Sequence, residues 1–291
     1  MLKCVFHKII AIVIFLLISF SISAQKVKEP KAPNEEWTKP YQPFRIAGNL
    51  YYVGSYDLAS YLITTEKGNI LINTGLAASI NQIKKNIETL GFRLTDIKIL
   101  LTTQAHYDHL GAMAAIKKIT NAIFMVNEGD LAVVKDGGSS DYGLGGQGST
   151  FRPIKPDRLL HDGDTIQLGG TQLMMLHHPG HTKGSNSFLF TVKDERKSYR
   201  VLIANMPTIV TEKKFAEITA YTEIANDYAY TLRSMKALSF DIWLASHASQ
   251  FQLHSKHKPS DVYNPSAFID QAGYDNTIDD LQKQYDEHLH K

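Results

Sequence analysis

Residues 97–111 read IKILLTTQAHYDHLG, and this stretch decides how the rest of the chain is read. Ile97 to Leu101 form a short, unbroken apolar run of the kind that makes a strand buried on both faces. The run ends at Thr102-Thr103, and the next six residues crowd four metal-ligating types together: Gln104, His106, Asp108 and His109. Leu110, Met113, Ala114 and Ile116 then recur at helical spacing, which predicts a helix. The ligating residues therefore belong to the connection between a buried strand and a helix, where α/β proteins place their chemistry.

These residue types point to zinc. The ion takes neutral imidazole nitrogens and carboxylate oxygens, and catalytic sites keep one position open for water. On an extended turn alternate residues face opposite ways. Gln104 and His106 are thus expected to face one point, and Asp108 and His109 another a few ångströms away. Two adjacent metal sites follow, set against the plainer reading of two surface histidines and an aspartate lying near each other by chance.

Two further stretches bear on the same chemistry: HHPGHTKGSNSF at 177–188 and WLASHAS at 243–249. With QAHYDHLGA, they resemble in order the signature of the metallo-β-lactamase superfamily, H-x-H-x-D-H, with glutamine in place of the first histidine. The resemblance runs from about residue 44 to 255. Within the superfamily it is to subclass B3, and within B3 to the GOB-like enzymes, which share the glutamine. It implies an α/β fold: a four-layer αβ/βα sandwich with two mixed sheets face to face, helices outside and metals at one sheet edge. It also implies a first zinc site of Gln104, His106 and His181, and a second of Asp108, His109 and His247. Because a neutral amide is a poorer zinc ligand than imidazole, the first site is expected to be the weaker.

The implied activity is hydrolysis of the β-lactam ring of penicillins, cephalosporins and carbapenems. Zinc brings the pKa of bound water to about 7 in favourable cases, and the resulting hydroxide attacks the strained amide. Asp108 ligates and orients it, and zinc meets the charge that develops on the ring nitrogen. Two other readings stand beside this one: a lactonase or glyoxalase II-like thioesterase on the same scaffold, and a non-catalytic metal-binding envelope protein. Where some branches of the superfamily carry a bridging Asp, this chain reads Asn205-Met206, which argues against the thioesterase branch. Thr208 stands where B3 enzymes bind the substrate carboxylate, with a helix-cap threonine as the plainer reading.

Residues 1–24 carry Lys3 and Lys8, an apolar run from Ile9 to Phe20, and the small-residue stretch SISA, so they read as a secretory signal peptide. The run is short for a permanent membrane anchor. Residues 25–43 read as an extended lead-in outside the core, and 44–291 as the metallo-β-lactamase domain. The chain has 31 Lys+Arg and 29 Asp+Glu, and the leader holds two lysines and no acid, so the remainder is 29 against 29. Nothing in that balance points to nucleic acid or an acidic membrane surface. The single cysteine, Cys4, lies in the leader, so the exported chain has no thiolate ligand and no disulfide. A periplasmic location is expected, as a monomer acting on a small molecule.

Between these landmarks, FRIAGNLYYVGS, ASYLITT and NILINTG read as consecutive antiparallel strands, followed by a helix over 77–90 that Gly91 stops. DGGSSDYGLGGQGS at 136–149 is too rich in glycine to be expected in the packed body. It is read as a mobile loop at the site mouth, with Tyr142, Leu144 and Gln147 as its substrate contacts. His161, His177 and His178 are read as structural or packing residues, and His254 and His257 as solvated. Ile278, Leu281, Tyr285 and Leu289 predict a terminal amphipathic helix.

Overall fold

The computed structural model describes residues 26–290, so the leader read at 1–24 lies outside the described residues. Seven strands form the first sheet: β1 Phe44–Ala47, β2 Leu50–Tyr52, β3 Tyr61–Thr65, β4 Gly68–Ile72, β5 Ile97–Leu101, β6 Ile123–Asn127 and β7 Arg158–Leu160. They lie in chain order, antiparallel from β1 to β4 and parallel from β4 to β7. The second sheet holds β8 Thr165–Leu168, β9 Thr171–His177, β10 Asn186–Lys193, β11 Ser198–Ala204 and β12 Ile242–Ala245, in the order β12-β11-β10-β9-β8. Only its β11–β12 pair is parallel. The helices are α1 Ile80–Thr89, α2 Tyr107–Leu110, α3 Met113–Thr120, α4 Leu131–Asp136, α5 Ile224–Lys236, α6 Leu253–Lys256 and α7 Gln271–Leu289.

Strand alternation explains the layering. Tyr61, Ile63, Ile70, Ile72, Ile99 and Leu101 face the second sheet and pack in one core with Phe188, Phe190, Val201 and Ile203. Their neighbours Leu62, Leu71 and Leu100 face the other way and pack with Ile83 and Ile87 of α1 and Met113 and Ile116 of α3. The two-residue period of a strand thus sends each half of β3, β4 and β5 to a different core. Each such aliphatic side chain contributes about 1.5–3 kcal/mol on burial. β5 is buried on both faces, as its apolar run predicts, and the chain is the expected sandwich of two mixed sheets with helices outside.

A hydrogen-bonded seam joins the two halves near the end of β12. Tyr61 Oη donates to the Ala245 carbonyl (2.6 Å), Ala59 N to Ser246 O (3.2 Å), and Ala248 N to Asp57 O (2.7 Å). Asn186 N donates to Thr103 O (2.9 Å), tying the start of β10 to the end of β5. On the outer face, α7 lies along α5. Tyr274 Oη donates to Met235 O (3.0 Å) and Tyr285 Oη to Ala225 O (3.0 Å), and the Tyr274 ring sits 5.4 Å from Trp243 of β12.

Three expectations are corrected. His254 and His257 are half-buried rather than solvated, because aromatic neighbours cover them: His254 stacks on Tyr56 and His257 on Phe44, both at 3.6 Å between ring centres. Tyr41, assigned to a lead-in outside the core, is buried among Tyr52, Tyr56 and Phe44 and donates to the His257 carbonyl. Leu289 points to solvent at the end of α7, where the docked face is carried by Tyr274, Ile278, Leu281 and Tyr285.

Candidate metal centre

The segment after β5 is braced before it reaches its first ligating residue. Thr102 Oγ1 donates to the Gln104 carbonyl (2.7 Å), and Asn73, just past β4, accepts from the Thr103 amide (3.0 Å) through Oδ1. The chain then enters α2, a single helical turn, so Asp108 and His109 are adjacent on a helix rather than on the extended turn the sequence suggested. The His109 carbonyl accepts from both the amide and the hydroxyl of Thr74 (2.8 and 3.0 Å). Gly111 permits this close approach: a Cβ there would lie 2.4 Å from backbone atoms of Leu76 and Ala77.

His181 comes from the loop between β9 and β10. Pro179-Gly180 reverses the chain there, with Gly180 at φ +128°, and a side chain at 180 would run into the Tyr228 ring at 2.9 Å. His247 follows β12 and completes a second strand-then-ligand connection. Six residues from three distant parts of the chain thus reach one edge of the two sheets.

They fall into two groups. Asp108, His109 and His247 each offer a ligand atom, all within 4.8 Å of one another. Asp108 Oδ2 lies 3.2 Å from His109 Nε2 and 3.3 Å from His247 Nε2. In the other group, His181 Nε2 is 3.2 Å from His106 Nδ1, and the Gln104 amide nitrogen is 3.4 Å from the same atom. A half-turn of that amide presents its carbonyl oxygen instead.

The donor set fits zinc. His109 is fully buried, yet both its ring nitrogens lack a hydrogen-bond partner among the described residues. Buried polar atoms are almost always satisfied, and a lone pair aimed at a carboxylate and a second imidazole is what a metal ligand presents. The structure brings Gln104, His106 and His181 together as one group, and Asp108, His109 and His247 together as another.

Electrostatics reinforce this. Burial alone would raise the Asp108 carboxyl, but His109 and His247 outweigh it and hold the group well below the usual carboxylate range. His247 is pulled down by burial and pushed up more strongly by Asp108 and Asp57, to about 9. Asp57 was missed in the sequence. Its Oδ2 lies 3.0 Å from His247 Nδ1 and its Oδ1 accepts from the Ser249 amide (2.9 Å), so it fixes the ring with Nε2 toward Asp108. His181 is held similarly: its Nδ1 meets the Thr208 carbonyl (2.7 Å) and hydroxyl (3.0 Å). No helix lies at Thr208, so the helix-cap alternative finds no support, and its hydroxyl is engaged with His181.

The glycine-rich segment departs from expectation. Gly137, Gly138, Asp141, Ser149 and Thr150 are buried, because the segment folds back on itself through Thr150 N to Gly137 O (2.8 Å) and Gly138 N to Val133 O (2.8 Å). Tyr142 turns inward, donating to the carbonyls of Gly180 (2.9 Å) and His181 (3.2 Å). Leu144 and Gln147 face a cleft of about 430 Å³ shared with Tyr107 and with Lys28, Glu29, Pro30 and Lys31 of the lead-in. The lead-in itself crosses the site: Glu29 accepts from the Ala77 amide (2.7 Å), and the Trp37 ring lies 5.4 Å from that of His247.

His161, His177 and His178, read as structural or packing residues, each have a protein partner. His161 is exposed beside Glu128 (3.1 Å), and His177 packs against Asn127 (2.8 Å). His178 is buried between Ser187 (2.7 Å) and Ser234 (3.1 Å). Burial, with His177 nearby, pushes it from 6.5 down to about 3. Its neutral ring therefore contributes stability that is complete above pH 6.5 and lost as pH falls from there toward 3, several kcal/mol in all at about 1.4 kcal/mol per unit. Urea unfolding between about pH 4 and 7 should show wild type losing stability on acidification more steeply than His178→Gln; parallel curves would refute the assignment.

Comparison with known proteins agrees with this geometry. The model of the metallo-β-lactamase superfamily matches residues 58–194. The chain is similar to the class B3 di-zinc metallo-β-lactamase LRA-12 from an Alaskan soil metagenome, at 71% identity over 90% of this chain and 100% of that one, with a TM-score of 0.90. It is similar to the metallo-β-lactamase GOB-18 from Elizabethkingia meningoseptica at 59% identity, over 91% and 98% of the two chains, also with a TM-score of 0.90. Among curated relatives, a probable metallo-hydrolase of Burkholderia pseudomallei is 31% identical over 118 residues, 39% of this chain and 37% of that one. The matches span 66% and 63% of the first two curated relatives' own lengths, in Aquifex aeolicus and Methanocaldococcus jannaschii.

Proposed function

The chain belongs to the metallo-β-lactamase superfamily, in subclass B3 and close to the GOB-like enzymes, and from that premise we propose that it is a zinc-dependent hydrolase that opens β-lactam rings. The observation that carries the reading is the convergence of Asp108, His109 and His247 beside the His106–His181 pair at one sheet edge. Gln104, His106 and His181 would hold one zinc, and Asp108, His109 and His247 the other. Bound zinc supplies Lewis acidity and acidified water at neutral pH.

The chain's own groups position the rest. Asp108 is held ionised by His109 and His247, so it is available to orient the attacking water. Asp57 and Thr208 keep the ligating nitrogens of His247 and His181 aimed inward. Leu144 and Gln147 would offer contacts to a substrate entering the cleft, Tyr142 supports the loop beneath them, and Thr208, whose hydroxyl also rests on His181, is the residue proposed to meet the substrate carboxylate. Penicillins, cephalosporins and carbapenems share the attacked amide, which supports a broad spectrum.

The periplasm is the proposed location, reached through the leader at 1–24, with a monomer as the working form. Among the described residues no helix is long and apolar enough to cross a membrane. Steady-state assays of the zinc-loaded protein with a penicillin, a cephalosporin, a carbapenem, a lactone and a thioester test the reading. Efficient turnover of the lactams is expected. Turnover confined to the thioester or lactone, or zinc bound without turnover of any of them, would overturn it.

A further inference from the structure

Asp141 reaches two places at once. Its Oδ2 lies 3.4 Å from His106 Nε2, an ion-pair distance at which the hydrogen bond is not yet closed. Its Oδ1 accepts from the amides of Gly143 (2.9 Å) and Leu144 (2.6 Å), which shapes the turn whose Leu144 lines the cleft. The side chain is only 3% exposed. Tyr142, next in sequence, grips the backbone of Gly180 and His181. Two consecutive loop residues therefore hold both histidines of the Gln104 site.

The orientation of His106 gives this contact its meaning. Nδ1 faces His181 Nε2 and the Gln104 amide, so Nδ1 is the metal-facing nitrogen. A ring that ligates through Nδ1 must carry its proton on Nε2, aimed at the Asp141 carboxylate. The resulting bond is charge-assisted and raises the donor strength of the imidazole. That help is greatest at a site whose third ligand is a neutral amide.

We infer that Asp141 is a positioning residue which couples zinc at the Gln104–His106–His181 site to the shape of residues 141–145, so that filling this site orders one wall of the cleft. The inference rests on the assignment of those three residues as zinc ligands under the proposed function. Coupling of this kind is reciprocal: whatever the loop gains from bound metal, the metal gains from an ordered loop.

Zinc titration against a competing chelator, together with amide hydrogen exchange at 143–146 with and without zinc, tests this on the leaderless chain. Asp141→Asn keeps an oxygen for the amides of Gly143 and Leu144 while removing the charge. The weaker of two zinc sites is expected to lose roughly 10–100-fold in affinity in this variant, with the stronger site unchanged. Zinc should slow exchange at 143–146 in wild type, and less so in the variant. Equal affinity at the weaker site in both proteins would overturn the coupling, as would a wild-type loop whose exchange ignores zinc. A wild type that binds one zinc only, retained in His106→Ala, overturns this inference and leaves the hydrolase reading standing. A wild type that binds none overturns both.

Discussion

Asp108→Ala is expected to lower kcat/KM for a cephalosporin by three orders of magnitude or more, about 4 kcal/mol of transition-state stabilisation. The carboxylate sits 3.2 Å from His109 Nε2 and 3.3 Å from His247 Nε2, so its removal leaves a buried and a partly buried imidazole facing each other without the anion between them. The site drops from three protein ligands to two, and its net charge when loaded rises by one. Zinc content should fall from two ions toward one in the same variant. Asp57→Asn is the graded control, because Asp57 reaches the three-ligand group through His247, keeps an oxygen for the Ser249 amide when changed to Asn, and leaves all three ligands present. An Asp108→Ala enzyme retaining more than a tenth of wild-type kcat/KM would remove this residue from the mechanism.

Exhaustive removal of metal should have the largest effect of all. Dialysis against dipicolinate or EDTA is expected to bring imipenem turnover to background, and added zinc to restore it. Water near neutrality is a poor nucleophile, with a pKa of about 15.7 that zinc brings toward 7. The chain's own groups at this edge supply acid, base and orientation, yet no comparable shift. Activity that persists in chelator, or a covalent adduct seen by intact-protein mass spectrometry during turnover, would point to a side-chain nucleophile instead.

Much of this centre is legible in the primary structure, and the reason is local. β5 announces itself as an apolar run, and its ligating residues lie within six positions of its end. His247 is found the same way, by the strand that precedes it, whereas His181 is picked from three neighbouring histidines by its resemblance to the superfamily's pattern. The supporting residues are hidden because they are remote. Asp57 meets a histidine 190 positions away, and nothing in SYDLAS distinguishes it from an ordinary turn aspartate. Asp141 left a fainter trace: an Asp two residues before a glycine suggests an Asx turn, which it does make, but not that its second oxygen faces His106. The glycine-rich segment misleads for a related reason. Composition reports the absence of apolar side chains, whereas this loop is held by backbone hydrogen bonds and one buried carboxylate.

His254 and His257 illustrate the opposite error. Lysines and serines around them suggest solvent, but the aromatic rings that cover them come from residues 41–56, which the local window does not contain. Thr208 is intermediate. Position in the chain puts it at the right edge, and only the fold shows that its hydroxyl and carbonyl both rest on His181.

The seam between the two halves has a consequence for the order in which the molecule matures. His247 is carried by a strand of one sheet and Asp108 by a helix beyond the other, and the bonds from Tyr61, Ala59 and Ala248 close only when both have formed. A nascent or half-folded polypeptide can offer Asp108 and His109, but the third donor arrives with the final docking of the C-terminal half. If these three residues hold zinc as proposed, capture of the ion at that position would be a late event in biogenesis, and a chain threaded outward in an unfolded state would take its zinc from the compartment it arrives in rather than from the one where it was made.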